Sequence, residues 1–297
     1  MNVKDILDLD IGDVLFDADL SNYTTYKIKC IAKILVIPRD VECLKKLINY
    51  IRKNSLKYKV IGNGSNLIFT NPIYDGVIIK LDCLNNINIE GSNICVGAGY
   101  NLMKLALKVS MLGLTGMEFA TGIPGCVGGS VFMNSGAYNS SIGDVLESAL
   151  LLTPNLEIVK FTNEDFGFDY RTSFLQKNTD YICLEVNFKL SFGNKEEIME
   201  LVNKRRERRL STQPLEYPSA GSVFRNPEGD FAGRLVEEIG YKGHVIGGAQ
   251  VSEKHANFII NKGGATGSDV KQLISEIKLK VKEKYNIELK VEQEFVE

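Results

Sequence analysis

The stretch Thr121-Gly122-Ile123-Pro124-Gly125-Cys126-Val127-Gly128-Gly129-Ser130 sets four glycines and a proline within nine residues. So little side-chain bulk lets the main chain approach an extended ligand closely. A loop this rich in glycine is costly to order, and a bound ligand that orders it offsets the cost. Gly122, Gly125, Gly128, Gly129 and Ser130 are therefore candidate ligand contacts, joined by Asn134 and Gly136 in the Asn134-Ser135-Gly136-Ala137-Tyr138 that follows. The surrounding uncharged run, Phe119 to Gly143, has membrane-spanning length. Its six glycines, Pro124, two asparagines and four serines exclude a membrane helix.

A second turn lies upstream, where the strand YKVIG runs into Gly62-Asn63-Gly64-Ser65-Asn66. Consecutive N–H groups with little bulk around them suit a pyrophosphate. The turn fails the dinucleotide spacing G-x-G-x-x-G, because Leu67 stands where the third glycine belongs, and no phosphate-loop lysine follows it. Read alone, it is equally a tight strand-to-loop connection.

The flanking sequence alternates strands and helices. CIAKILVIP reads as a strand, and Asp40 as the N-cap of a helix with Val41, Leu44, Leu47, Ile48 and Ile51 on one face. GVIIKL at 76–81 is a strand, and INIE and ICVG form a hairpin about Gly91-Ser92. NLMKLALKVSML is a helix presenting Leu102, Leu105, Val109 and Leu112, stopped by Gly113. LLLT, EIVKF and YICLEVNFKL are strands, followed by a helix over 195–210. Beyond it come the helix FAGRLVEEIG, the strands VIGGAQV and ANFIIN, a long helix DVKQLISEIKLKVKEKYN, and a final strand IELKVEQEFV. The pattern is α+β. The Pro-, Gly- and Ser-rich STQPLEYPSAGS puts a domain boundary near 192–212, dividing 1–200, with lobes of about 1–82 and 83–200, from 201–297.

Composition narrows the function classes. With 44% hydrophobic and 24% charged residues, the 297-residue chain is an ordinary globular protein. A formal charge of -2 gathers no polyanion, and the one basic run, KRRERR at 204–209, is interrupted by Glu207, so nucleic acid is not the expected partner. Cys30, Cys43, Cys83, Cys95, Cys126 and Cys183 lack CxxC spacing, and the start MNVKDILDLD has no apolar core, so the expectation is buried thiols in a reducing cytoplasm and no membrane association. His244 and His255 have no partners at metal-ligand spacing, and no metal is expected. Gln250, Lys254, His255 and Asn257 are polar residues of the C-terminal part, candidate ligand contacts or ordinary exposed side chains at strand ends.

GNGSNL, GIPGCVGGSVFMNSGAY, YRTSF at 170–174, PSAGSVFRNP at 218–227 and GGAQVSEKHANFIIN at 247–261 occur in this order. The set resembles the UDP-N-acetylenolpyruvoylglucosamine reductases, flavoenzymes of bacterial peptidoglycan precursor synthesis, from about Tyr23 to the end of the chain. The resemblance implies an FAD-binding fold of the vanillyl-alcohol-oxidase (PCMH) type plus a smaller C-terminal α/β substrate domain. It implies FAD as cofactor, NADPH as reductant and a nucleotide-sugar carrying an enolpyruvyl ether as substrate.

On the same resemblance, Gly62, Asn63, Gly64, Ser65 and Asn66 and the later glycine stretch hold FAD. Arg171, beside Tyr170, pairs with the substrate carboxylate, a role suited to a guanidinium. Ser222 takes the proton-donor position, and Arg225 and Asn226 meet the diphosphate. Read without the family, Arg171 is equally a surface ion pair and Ser222 an ordinary turn serine. The family shows Leu-x-x-Glu-Val near its C-terminus, where this chain reads Leu289-Lys290-Val291-Glu292-Gln293-Glu294-Phe295. Glu292 keeps the spacing and is the chosen carboxylate. Glu294 lies on the same face by strand alternation and is its substitute. The interval from Arg171 to Pro218 leaves little room for the tyrosine-bearing capping loop of the longer family type, so the shorter type and a monomer are expected. In that type, Tyr241 or Lys242 would help close the site. A flavin oxidase of the same fold and a non-catalytic nucleotide-binding module are the competing readings.

Overall fold

A computed structural model describes residues 6–297, and the reading of the first five residues as free of an apolar leader lies outside them. Strands β1 (Gly12–Asp19), β2 (Ile31–Pro38), β3 (Tyr58–Ile61), β4 (Leu67–Phe69) and β5 (Ile73–Lys80) come first in the chain. Four of them form a sheet ordered β1-β2-β5-β3, with β3 and β5 parallel. The crossover into β3 is α1 (Val41–Lys53), capped by the Asp40 carboxylate, which accepts from Cys43 N at 2.8 Å. Leu44, Leu47, Ile48 and Ile51 are its buried stripe, as their spacing requires.

The hairpin β6 (Ile87–Glu90) and β7 (Asn93–Gly97) leads to α2 (Leu102–Met111), capped by Asn101. Leu112 is not part of the buried face. It follows the last helical residue, before Gly113 turns left-handed (φ 76°), and is 56% exposed. Next come a short helix, α3 (Val127–Phe132), and strands β8 (Leu146–Leu152), β9 (Ile158–Thr162) and β10 (Ile182–Lys189). These strands join the hairpin in an antiparallel sheet ordered β9-β8-β10-β7-β6.

Helix α4 (Lys195–Thr212) is followed by β11 (Ser219–Ser222), α5 (Ala232–Glu238), β12 (Val245–Ile246), β13 (Ala249–Val251), β14 (Phe258–Asn261), α6 (Gly267–Tyr285) and β15 (Glu294–Val296). Their sheet is ordered β11-β14-β13-β12. VIGGAQV is thus two strands: Gly247, at φ 53°, and Gly248 form the turn that pairs Ile246 with Ala249. The terminal IELKVEQEFV is likewise not one strand. Only Glu294–Val296 form a ladder, parallel to β4, while Val291 makes an isolated bridge to Phe224 and the chain bends at Gln293.

The chain forms two compact units that interleave in sequence. The first holds the residues up to Phe16, Ile34–Asn63 and Gly76–Glu207; the second holds Asp17–Lys33, Gly64–Asp75 and Arg208–Glu297. The contiguous division at about residue 200 does not contain the two short excursions that carry Tyr26, Ile28 and Ile68 into the second core. In the first unit, residues of both expected lobes, such as Ile48, Ile79, Val96 and Phe188, share one buried cluster.

Within the second unit α6 lies very close to β4. Thr266 and Asp269 form a reciprocal capping box at its start, and a Cβ on Gly267 would lie 2.1 Å from the Phe69 carbonyl oxygen. Helix propensity alone favours Gly267→Ala by about 1 kcal/mol, whereas overpacking costs about 1–3 kcal/mol. We expect the clash to prevail and Tm to fall; a raised Tm in thermal denaturation would contradict this packing.

Candidate active site

The turn at 62–66 begins where β3 ends. Lys80, only 5% exposed at the end of β5, donates from Nζ to the Gly62 carbonyl at 2.8 Å and pairs with Asp82 at 3.3 Å. Opposite it, a Cβ on Gly62 would sit 2.4 Å from Cys126 Sγ. Gly62 is therefore glycine because Cys126 occupies the space a side chain needs. Gly64 is left-handed (φ 59°), and a Cβ there would meet Thr24 Cγ2 at 2.7 Å. Among the described residues, no main-chain carbonyl accepts from the N–H of Asn63, Gly64 or Ser65. Three consecutive donors left open in this way suit an anionic group.

The second glycine stretch is built differently from the open loop its composition suggests, because its latter half is the helix α3. Cys126 caps that helix, with Sγ accepting from Gly129 N at 3.4 Å. The first N–H groups are already taken: Val127 N donates to Tyr100 O at 2.9 Å and Gly128 N to Ala98 O at 2.8 Å. A Cβ on Gly128 would lie 2.9 Å from Ala98 Cβ, so that glycine serves packing. Ser130 is buried and donates its hydroxyl to Cys126 O at 2.8 Å, back-bonding within the helix. Gly125 is buried, its N–H donating to Ile123 O and its carbonyl accepting from Leu102 N, both at 2.9 Å, which leaves Gly122 and the exposed Gly129 as the more accessible glycines of the stretch. Burial pushes the Cys126 thiol up, against the opposing pull of the Gly129 N–H and the Lys80 ammonium, which disfavours its thiolate form.

Downstream, the Asn134 amide is engaged on both sides. Oδ1 accepts from Gly143 N and Nδ2 donates to Asp169 O, both at 2.9 Å, so the side chain shapes the loop. Arg171 is itself left-handed (φ 53°), an uncommon conformation for a non-glycine residue. Its Nη2 donates to the Gly136 carbonyl at 2.6 Å, and its guanidinium lies 5.1 Å from the centroid of the 48%-exposed Tyr170 ring. Gln176 holds the same turn, donating to Arg171 O at 2.9 Å and Phe132 O at 3.0 Å.

In the second unit Ser222 ends β11 opposite Phe258 of β14. The segment after it is tied to the C-terminal stretch: Glu292 N donates to Val223 O at 2.8 Å and Arg225 N to Lys290 O at 2.9 Å. Asn66 brackets the two candidate carboxylates, with Nδ2 donating to Glu292 O at 3.0 Å and its carbonyl accepting from Glu294 N at 2.8 Å. Because the chain bends at Gln293, strand alternation does not govern Glu292 and Glu294: Glu294 belongs to β15, whereas Glu292 lies beside the Ser222 turn.

Asn257 is engaged inside the fold. Its side chain clamps the Phe224 main chain in both directions, at 2.9 and 2.8 Å, and is buried. Lys254 donates to Leu210 O at 2.7 Å, Gln250 Nε2 to Gly243 O at 3.1 Å, and exposed Asn226 accepts from Ala232 N at 3.1 Å at the start of α5. His255 Nδ1 accepts from Asn257 N at 3.2 Å, which places the proton of the neutral ring on Nε2, and burial lowers the ring's pKa. Lys80 and Cys126 escaped the sequence reading. A lysine inside the apolar run GVIIKL was the signal available for the first.

Residues 213–296 match the UDP-N-acetylenolpyruvoylglucosamine reductase C-terminal domain, and residues 32–162 match an FAD binding domain. A UDP-N-acetylenolpyruvoylglucosamine reductase of Bacillus licheniformis is 46% identical over 99% of this chain and 97% of its own length. The chain belongs to the UDP-N-acetylenolpyruvoylglucosamine reductase family. The Bacillus subtilis reductase is 43% identical over the same share of each chain. The crystal structure of the reductase from Thermus caldophilus superposes with a TM-score of 0.80 at 32% identity, covering 96% of this chain and 98% of that one. A 6-hydroxy-D-nicotine oxidase from Arthrobacter nicotinovorans superposes with a TM-score of 0.50 at 19% identity over 62% of this chain and 43% of its own, a likeness of fold alone. The family's α+β architecture, an FAD-binding fold plus a C-terminal domain, is thus the fold of this chain. Among the described residues no helix is long and apolar enough to cross a membrane.

The open donors at 63–65 fit the FAD that a member of this family carries, with the Gly62 carbonyl behind them fixed by Lys80. Replacing Lys80 by methionine leaves that carbonyl without its ammonium. We expect Lys80→Met to weaken FAD binding about tenfold, taking about 1–2 kcal/mol for a hydrogen bond to a charged group. Fluorescence titration of apoprotein with FAD checks this, and an unchanged Kd would detach Lys80 from the cradle.

Proposed function

We propose that this chain is the NADPH-dependent flavoenzyme that reduces UDP-N-acetylglucosamine enolpyruvate to UDP-N-acetylmuramate in peptidoglycan precursor synthesis, with Arg171, Ser222 and Glu292 as its catalytic residues. The 2.8 Å bond from Glu292 N to Val223 O carries the assignment of the carboxylate, because it puts Glu292 beside the serine turn. The flavin-oxidase alternative is not favoured, since full-length likeness is to the reductases. A non-catalytic module would need neither a fixed arginine nor a carboxylate held beside a serine.

FAD, when bound, would supply the hydride chemistry that links NADPH to C3 of the enolpyruvyl group. The N–H groups of Asn63, Gly64 and Ser65 would hold its pyrophosphate, with the main chain around Gly122 and Gly129 as further contacts. Arg171, oriented by the Gly136 carbonyl and Tyr170, binds the substrate carboxylate, into which negative charge spreads as C3 gains hydride. Ser222 Oγ delivers the proton to C2, and Glu292 supplies a carboxyl for acid–base work at the same turn. Arg225, Asn226, Gln250 and His255, all in the second unit, are the substrate contacts of this reading. The enzyme works as a monomer in the cytoplasm, a compartment consistent with six free thiols. Strand β10 and helix α4 fill the interval from Arg171 to Pro218, in keeping with the shorter family type.

Replacing Ser222 by alanine should leave flavin reduction by NADPH within about twofold and slow reoxidation by the enolpyruvyl nucleotide about 10²–10⁴-fold. Stopped-flow absorbance separates the two half-reactions. Glu292→Gln should share the second effect and Glu294→Gln should not; the reverse order would move the carboxylate to Glu294, and unimpaired reoxidation in Ser222→Ala would remove the serine from the mechanism.

A further inference from the structure

The peptide units just before Ser222 leave the ladder of their own sheet. β11 pairs with β14 at Ser219 and Ser222, with a register shift between them, so Ala220 and Gly221 bulge out. A bulge leaves carbonyls that need other donors. Gln293 supplies both: its Nε2 donates to Ala220 O at 3.0 Å and to Gly221 O at 3.2 Å. Ala220 is anchored in the second core, but at Gly221 side-chain packing contributes nothing: the residue is left-handed (φ 73°) and a Cβ there would meet nothing within 4 Å.

Gln293 is 4% exposed, and its Oε1 is buried without a hydrogen-bond partner among the described residues. The amide cannot turn over to relieve this, because both main-chain neighbours of Nε2 are acceptors. A buried amide held in this manner, one peptide from Glu292, does more than fill space: an apolar residue would leave two carbonyls of the bulge unpaired.

We propose that Gln293 is a positioning residue for the proton-donating serine, fixing the Ala220–Gly221 main chain and thereby the direction of Ser222 Oγ. The inference rests on the assignment of Ser222 as proton donor. Gln293 touches no reacting atom; it acts through the turn it clamps.

The test uses full-length, FAD-loaded protein carrying Gln293→Met, which keeps volume and removes both donated bonds, in the wild-type and Ser222→Ala backgrounds. Gln293→Asn, too short to reach both carbonyls, runs the same cycle should the methionine variant not fold. In the wild-type background flavin reduction by NADPH stays within about twofold, while reoxidation by the enolpyruvyl nucleotide slows about 10- to 100-fold, the effect of a displaced reacting group. The solvent deuterium isotope effect on reoxidation rises as protonation falls behind. In the Ser222→Ala background the loss from the second change shrinks below about twofold, because residues acting as one unit are not additive.

Equal losses in both backgrounds, losses shared by both half-reactions, or no loss at all would overturn the proposal. If Ser222→Ala is slow while the Gln293 variants reoxidise at the wild-type rate, only the clamp fails. If Ser222→Ala reoxidises normally, the assignment of the serine fails and the clamp's role falls with it.

Discussion

The second unit depends on pinning the C-terminal segment between two segments far from it in sequence. Asn66 holds the Glu292 carbonyl and the Glu294 N–H, while Glu292 and Lys290 bond the main chain on either side of Phe224. A contact between residues 226 positions apart closes a very long loop, and its entropic cost rises only slowly with length. What makes it hold is apolar: Ile68, Phe224 and Leu289 belong to one buried cluster with α6. The bonded edges then fix register. The serine turn, the carboxylate and the bracketing asparagine take their places from this one junction.

The glycine-rich turns answer a different, local constraint. Their glycines divide into two kinds. Gly62 and Gly128 are small because protein atoms, Cys126 Sγ and Ala98 Cβ, occupy the space a side chain would need. The turn at 63–65 is the part whose N–H groups stay open. Glycine density marked the region, but only the disposition of donors separates glycines enclosed by protein atoms from those beside open N–H groups.

Much of this was legible in the sequence where the signal is local. The Asp40 cap, the buried stripe of α1 and the alternation of β10 follow from periodicity and capping chemistry, and the ordered motifs carried the family. What was not legible depends on partners distant in sequence. Leu112 fits a helical stripe yet lies past the last turn. IELKVEQEFV alternates like a strand, but Gln293 leaves the ladder to reach the bulge before Ser222. Asn257 looks like a ligand residue until Phe224 claims both ends of its amide. The short excursions 17–33 and 64–75 leave no compositional mark, although they complete the second core.

The most direct test of the account is an anaerobic two-step titration of the purified holoprotein, following flavin absorbance and nucleotide product together. NADPH should bleach the flavin, and UDP-N-acetylglucosamine enolpyruvate, added without oxygen, should restore its colour with one equivalent of UDP-N-acetylmuramate formed. A flavin that stays reduced in the presence of the nucleotide and recovers only when oxygen is admitted would contradict the reductase assignment.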